Sequence, residues 1–148
     1  MADLGGRVLT GRALTRGVGT GPVIVLAEPV SIWGGVDHRG TIIDQHHPDV
    51  GTALTGAVLV MESGRGSSSA SSVLAELIRS GHAPAAIVLQ QSDAILALGA
   101  MVADELYGLT MPVVEVVGVA ALDVSGAATV ASDIESGVAR LTFSTFLV

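Results

Sequence analysis

Fifteen residues near the middle of the chain, Gly64-Arg65-Gly66-Ser67-Ser68-Ser69-Ala70-Ser71-Ser72-Val73-Leu74-Ala75-Glu76-Leu77-Ile78, limit its fold more than any other stretch. Before them runs Ala57-Val58-Leu59-Val60-Met61, apolar throughout and of strand length. After the serines, Val73, Leu74, Leu77 and Ile78 recur at helical spacing, which marks one buried helix face. The order is strand, glycine–serine turn, helix. The first N–H groups of such a helix lack partners within it, and together with the positive end of the helix dipole they favour an anion. Gly64 and Gly66 let the backbone bend and let a ligand come close. Ser67, Ser68 and Ser69 stand where the helix begins, so one of them is expected to cap it. A plain cap and an anion or substrate site both fit this pattern. A linker does not, because firm apolar segments flank the stretch. A Walker A loop is excluded, since the Gly-x4-Gly-Lys-Ser/Thr spacing is absent.

The segments that follow extend this unit. The first helix is expected over about 69–80, with Gly81 as its stop and Pro84 beyond. Ala85-Ala86-Ile87-Val88-Leu89 reads as a second buried strand. Ser92 or Asp93 caps a second helix reaching about Leu106; it is apolar almost all round and therefore expected to be well buried. Gly108 ends it, and Pro112-Val113-Val114-Glu115-Val116 is a third strand. The sum is β-α-β-α-β, with parallel strands and right-handed crossovers.

Strands are also expected over 7–14 and 22–28, with Gly17, Gly19 and Gly21 forming a loop between them. This Gly-x-Gly-x-Gly is no dinucleotide fingerprint, because Pro22 and a strand follow where a helix should open. Ala127–Ala131 and Val138–Phe143 flank a polar turn at 132–137, and Ala139, Leu141 and Phe143 alternate with polar residues as in a half-buried hairpin strand. The fold class is α/β, a single domain over residues 1–148 without internal repeats.

Only 14 % of the 148 residues are charged and 3 % aromatic, against 49 % apolar, so the core must be built from Val, Leu, Ile and Ala. Some apolar surface is expected to stay exposed, as suits a subunit with a partner. A net charge of −7 with seven Lys and Arg argues against nucleic acid or an anionic membrane as partner. The longest apolar run, Ala94 to Ala103, is too short to span a bilayer. The N-terminus lacks the basic and apolar regions of a secretion signal, so a cytoplasmic protein is expected. Without cysteine the chain has no disulfide, no thiol nucleophile and no thiolates for an iron–sulfur cluster.

The four histidines are His38, His46, His47 and His82, and three of them lie with Asp37, Asp44 and Asp49 in one polar segment. Their spacing matches no metal signature, and a solvated loop with one histidine bonded to backbone is the expectation. A metal held by His38, His46 and His47 in a free-standing enzyme is the competing reading. Trp33, the only tryptophan, is expected in core or interface packing, beside a tight turn at Gly34 and Gly35.

Taken together, Ser31-Ile32-Trp33-Gly34-Gly35-Val36-Asp37, His47-Pro48, Gly64-Arg65-Gly66-Ser67-Ser68-Ser69 and Gly99-Ala100-x-Val102-Ala103 resemble the small subunit of aconitase X, the swivel domain of the aconitase superfamily. The resemblance runs over roughly residues 7 to 116, with several motifs in the right order. It implies a swivelling β/β/α domain, in which the βαβαβ unit and flanking strands form a barrel-like sheet. It also implies a hydro-lyase whose iron or iron–sulfur centre is held by cysteines of a large subunit, so that this chain binds no cofactor alone. Bacterial members dehydrate cis-3-hydroxy-L-proline to a pyrroline carboxylate; archaeal ones dehydrate phosphomevalonate. The Gly-Arg-Gly-Ser-Ser-Ser turn looks more like the bacterial form.

In aconitase-type enzymes a Gly-x-Gly-Ser-Ser turn supplies a serine alkoxide as base, and the matching residue is Ser67. The resemblance thus implies Ser67 as catalytic base, with Arg65, Gly66 and Ser68 on the substrate. An alkoxide needs several positive influences at once, for which the helix start, Arg65 and a partner's metal are candidates. Aconitase has an arginine two residues after the base, where this chain has Ser69. Arg65 precedes the base, and either a substrate carboxylate or the partner subunit suits its guanidinium. A non-catalytic scaffold domain of the same fold is the alternative.

Overall fold

The computed structural model describes residues 6–119 and 126–144. Its elements, in chain order, are β1 (Val8–Ala13), β2 (Gly17–Val25), α1 (Ile32–Gly35), β3 (Val58–Met61), α2 (Ala70–Ser80), β4 (Ala86–Leu89), α3 (Ala94–Tyr107), β5 (Val113–Glu115), β6 (Ala127–Asp133) and β7 (Val138–Ser144). The strands close into a barrel in the order β1-β5-β4-β3-β2-β6-β7. β3, β4 and β5 pair in parallel, as helical crossovers require, with Val58 opposite Ala86 and Ile87 opposite Val113. β2 joins this parallel half through Val23 and Val58. β6 and β7 form the expected hairpin, and β1 closes the ring by pairing antiparallel with both β7 and β5.

Side-chain alternation along β3 and β4 divides the interior in two. Val58, Val60, Ala86 and Val88 point into the barrel, where they meet Val114, Ala128, Val130, Leu141 and Phe143. Leu59, Met61, Ile87 and Leu89 point outward beneath α2 and α3, against Leu74, Leu77, Leu96 and Ala100. Both faces of these strands are dry, so they read as unbroken apolar runs. β7 is covered on one face only, and its burial alternates residue by residue. Ala139, Leu141 and Phe143 are the inward set.

Three expectations are corrected. Gly17, Gly19 and Gly21 are not a loop; they lie within β2 and pair with Ser132, Val130 and Ala128 of β6. A Cβ at Gly19 would collide with the carbonyl of Ala85, and one at Gly21 with that of Gly56. Spacing two apart puts these glycines on one face, where the chain entering β3 and β4 crosses the strand at backbone distance. Next, α3 is not buried all round. It packs Leu96, Gly99, Ala100 and Ala103 inward and leaves Leu98 and Met101 about half exposed, because it lies on the outside of the barrel with nothing described beyond it. Finally, Trp33 is 54 % exposed, so of the core or interface packing expected of it only the core alternative is overturned. No helix among the described residues is long and apolar enough to cross a membrane.

The segment between β2 and β3 replaces a crossover helix. It buries Val30, Ile32, Val36, Ile42 and Leu54 in the outer core, and α1 within it is a single kinked turn in which Gly34 has φ 81°. His47 ties the start of this segment to its middle. The ring bonds the Glu28 carbonyl through Nε2 at 2.8 Å and accepts the Asp49 N–H at Nδ1, 3.0 Å. Asp49 in turn accepts the Ala27 N–H. This is the backbone-bonded histidine expected of the loop.

Candidate functional site

α2 and α3 both start just past the C-terminal ends of their strands, on the edge where open parallel sheets place ligands. The turn from Glu62 to Ser69 leads into α2, and Gln90 to Asp93 leads into α3. The two helix starts share a narrow crevice lined by Arg65, Gly66, Ser67, Ala70, Asp93, Ile95 and Leu96.

Ser67 is the residue that caps α2. Its Oγ accepts the Ser69 N–H at 3.1 Å and its carbonyl accepts the Ala70 N–H at 3.0 Å. The Ser68 carbonyl takes both the N–H and the hydroxyl of Ser71. Ser69 makes no side-chain cap bond, although it directly precedes the helix. Among the described residues no acceptor is seated on the N–H groups of Gly66, Ser67 or Ser68. The first turn of α2 also carries no acidic residue. Ser67 Oγ thus lies at the positive end of a helix that carries no acidic residue of its own there, with an N–H already directed at the oxygen. Both influences favour negative charge on that atom. Ser67 and Ser68 are exposed in this chain.

Arg65 is held loosely. Its Nη1 stands 3.5 Å from the Pro29 carbonyl and 3.8 Å from Glu28 Oε1, and the side chain is more than half exposed. Neither contact engages the bidentate fork, so the guanidinium keeps donors for a ligand or a partner.

Two glycines seat this turn between its neighbours. Gly66 has φ 98°, and a Cβ there would strike the hydroxyl of Ser31, which donates to the Trp33 carbonyl at 2.7 Å. A Cβ at Gly64 would strike Oδ2 of Asp93. Asp93 caps α3, with Oδ1 accepting the N–H of Ile95 at 2.8 Å and of Leu96 at 3.0 Å. Ser31 and Asp93 as neighbours of the turn are beyond sequence reasoning, which identified Asp93 only as a candidate cap. They lie more than twenty residues from the turn on either side, and no spacing rule connects them to it.

Behind Asp93 a second polar group is fully engaged. Glu115, at the end of β5, accepts the Ser92 N–H at 2.7 Å, and Arg12 donates to Ser92 Oγ at 3.1 Å. The Ser92 bonds, with Arg12 nearby, hold the Glu115 carboxyl below the usual range.

The described residues do not fit a metal centre. Cysteine is absent. Both nitrogens of His47 are occupied by backbone. Among the described residues no three His, Asp or Glu side chains gather as a ligand set.

The sequence from residue 8 to 140 matches the model of the aconitase X swivel domain. A cis-3-hydroxy-L-proline dehydratase of Pseudomonas aeruginosa is 50 % identical over 103 residues, which are 69 % of this chain and 18 % of that protein. The chain thus spans under a fifth of that relative. The phosphomevalonate dehydratase small subunit of Methanothermobacter thermautotrophicus is 43 % identical over 93 residues, 62 % of this chain and 71 % of that one. Among solved structures, aconitase X of Thermococcus kodakaraensis in its holo form aligns with TM-score 0.77 and 33 % identity, covering 92 % of this chain and 98 % of the matched one. Family model, relatives and fold agree, and the chain belongs to the aconitase X swivel domain family.

Proposed function

We propose that this chain is the small subunit of an aconitase X hydro-lyase that dehydrates cis-3-hydroxy-L-proline to a pyrroline-2-carboxylate, with Ser67 as general base. The observation that carries this reading is the seat of Ser67 Oγ, at the start of α2, whose first turn has no acidic residue, with the Ser69 N–H directed at it. The chemistry asks for a proton to leave the carbon that bears the carboxylate. Ser67 takes that proton, the C–H electron pair becomes the new carbon–carbon double bond, and the hydroxyl leaves the neighbouring carbon with the C–O electron pair. It is released as water on gaining a proton, and the proton held by Ser67 balances the count when the base is reset. The enamine then tautomerises to the pyrroline. Arg65, beside the base, binds the carboxylate as a fork, while Gly66 and Ser68 offer N–H groups to the same charge.

Ser67 is exposed here. An alkoxide-like base requires a water-excluded site, so the working enzyme needs a large subunit closed over this edge. The iron or iron–sulfur centre of the family is assigned to that subunit, because this chain has no cysteine to hold a cluster. The substrate assignment is supported by the 50 % identity to the hydroxyproline enzyme. The 43 % identity to the phosphomevalonate small subunit supports phosphomevalonate as the second reading.

The test is an anaerobic dehydratase assay on the chain co-expressed with its large subunit, as wild type and as Ser67→Ala. Loss of a base costs roughly 10²–10⁴ in kcat, so the variant should assemble and be nearly inactive. Equal activity of the two would reduce Ser67 to a cap. A wild type inactive on hydroxyproline but active on phosphomevalonate would select the second reading. Inactivity on both, with a metal-loaded partner, would leave a scaffold.

A further inference from the structure

We infer that Asp93 is a specificity-determining residue of this site, binding the ring ammonium of an amino-acid substrate across the crevice from Arg65; the assignment rests on the dehydratase reading above. A helix cap needs one acceptor, and Oδ1 alone takes both free N–H groups at the start of α3. Serine or asparagine would cap as well without a full charge. The second oxygen, Oδ2, has no hydrogen-bond donor among the described residues. It is directed against Gly64, where any side chain would collide with it. The turn that carries the base therefore lacks a Cβ at the point where this carboxylate abuts it.

Charge gives the arrangement its meaning. The two helix starts that meet in the crevice are made opposite in sign. α2 has no carboxylate in its first turn, whereas α3 is capped by one. Arg65 and Asp93 line the crevice together with Ser67. The carbon that loses its proton in 3-hydroxyproline bears a carboxylate and an ammonium. A base that reaches this carbon needs a cation receptor and an anion receptor beside it. Asp93 and Arg65 supply one of each. A carboxylate at this position gives a substrate whose only charges are negative no ion pair. The nearby Glu115 does not compete for the ammonium, because Ser92 and Arg12 already engage it.

The experiment pairs a protein change with a ligand change. Asp93→Asn and Asp93→Ser keep a capping side chain and remove the charge. The ligands are cis-3-hydroxy-L-proline and cis-2-hydroxycyclopentane-1-carboxylate, in which a methylene replaces the ring nitrogen. In the complex with the large subunit, both variants should raise KM for hydroxyproline about 10- to 100-fold, the loss of one charge-assisted bond. The inhibition constant of the carbocycle should stay within about twofold, since it has no ammonium to lose. Equal losses for both ligands would make Asp93 a structural cap, and no loss for either would remove it from the site; each result overturns the assignment. A wild-type complex inactive on hydroxyproline overturns the substrate reading, and this assignment with it.

Discussion

At the scale of single residues, glycine is the most informative choice in this chain, and for different reasons at different positions. Gly66 and Gly137 both sit at positive φ, 98° and 74°, where a side chain is strained. Only Gly66 also faces another side chain, the hydroxyl of Ser31. Gly137→Ala should therefore cost about 1 kcal/mol of stability, and Gly66→Ala about 1–3 kcal/mol. Denaturant titration gives the two values, and equal costs would mean that Ser31 does not seat the turn. On the proposed dehydratase reading, Gly66→Ala should in addition lower kcat of the complex with the large subunit, which Gly137→Ala should not. His47 is the residue-scale counterpart in the long β2–β3 segment. His47→Ala strands the Glu28 carbonyl and the Asp49 N–H, for about 1–3 kcal/mol. Amide exchange should locate the loosening in residues 26–56 rather than across the barrel.

At the scale of elements, the site depends on how closely two helices approach. Gly99 of α3 faces the backbone of Ser71, at the start of α2; a Cβ there would lie 2.7 Å from the Ser71 carbonyl and 3.1 Å from Leu74 Cβ. This is the physical content of the Gly99-Ala100 motif, since small residues set the helix spacing. Gly99→Val should push the start of α2, and Ser67 with it, away from Asp93. The expected result is a loss of about 1–3 kcal/mol of stability, as for overpacking. If Ser67 is the base proposed above, it should come with a fall in kcat well beyond the fraction unfolded, because misplacing a reacting group by 1 Å costs about 100-fold. Unchanged kcat in a destabilised variant would uncouple helix spacing from the chemistry.

At the scale of the whole molecule, two cores share the strands β3 and β4. Phe143 fills the barrel interior and Leu74 the layer between barrel and helices. Truncation to alanine should cost about 3–5 kcal/mol for Phe143 and about 2–5 kcal/mol for Leu74. Because the two cores use opposite faces of the same strands, thermal unfolding should stay a single transition in both variants; two transitions in either would show that the layers unfold separately. Acid stability is also a property of the whole. Asp37, Glu76, Asp104 and Glu115 all have carboxyls held below the usual range, by the Thr41 N–H, Arg79, Arg16 and the Ser92 N–H respectively. A carboxylate whose folded pKa is depressed contributes stability above its unfolded value, about 3.9 for Asp and about 4.3 for Glu, and loses it as pH falls through the folded value. Tm should therefore be insensitive to these groups above about pH 5 and should fall below about pH 4. Glu115→Gln should make that fall shallower. A Tm that rises on acidification would reverse the sign of the argument.

The sequence alone determined what depends on neighbours a few residues apart. Unbroken apolar runs, helical spacing after the serines and glycine stops placed β3 to β5 and their two helices within a residue or two of their observed ends. The alternation of Ala139, Leu141 and Phe143 likewise identified the inward face of β7. The turn itself, with a serine capping the helix that follows, was legible because glycines and hydroxyls before a helical apolar pattern are a local signal. The choice of Ser67 as base and of Arg65 and Gly66 as substrate contacts came from the family resemblance. Tertiary structure decided what depends on contacts between distant segments. Gly17, Gly19 and Gly21 looked like a loop because local propensity treats glycine as a breaker; β2 keeps them because Ala85 and Gly56 cross it at backbone distance. The exposed side of α3 was hidden for the same reason: composition records apolar residues, not which of them meet a neighbour. Asp93 beside the serine turn is also a product of strand pairing: β3 and β4 lie side by side in parallel, which brings the helix starts that follow them to one crevice; neither helix specifies that meeting by itself.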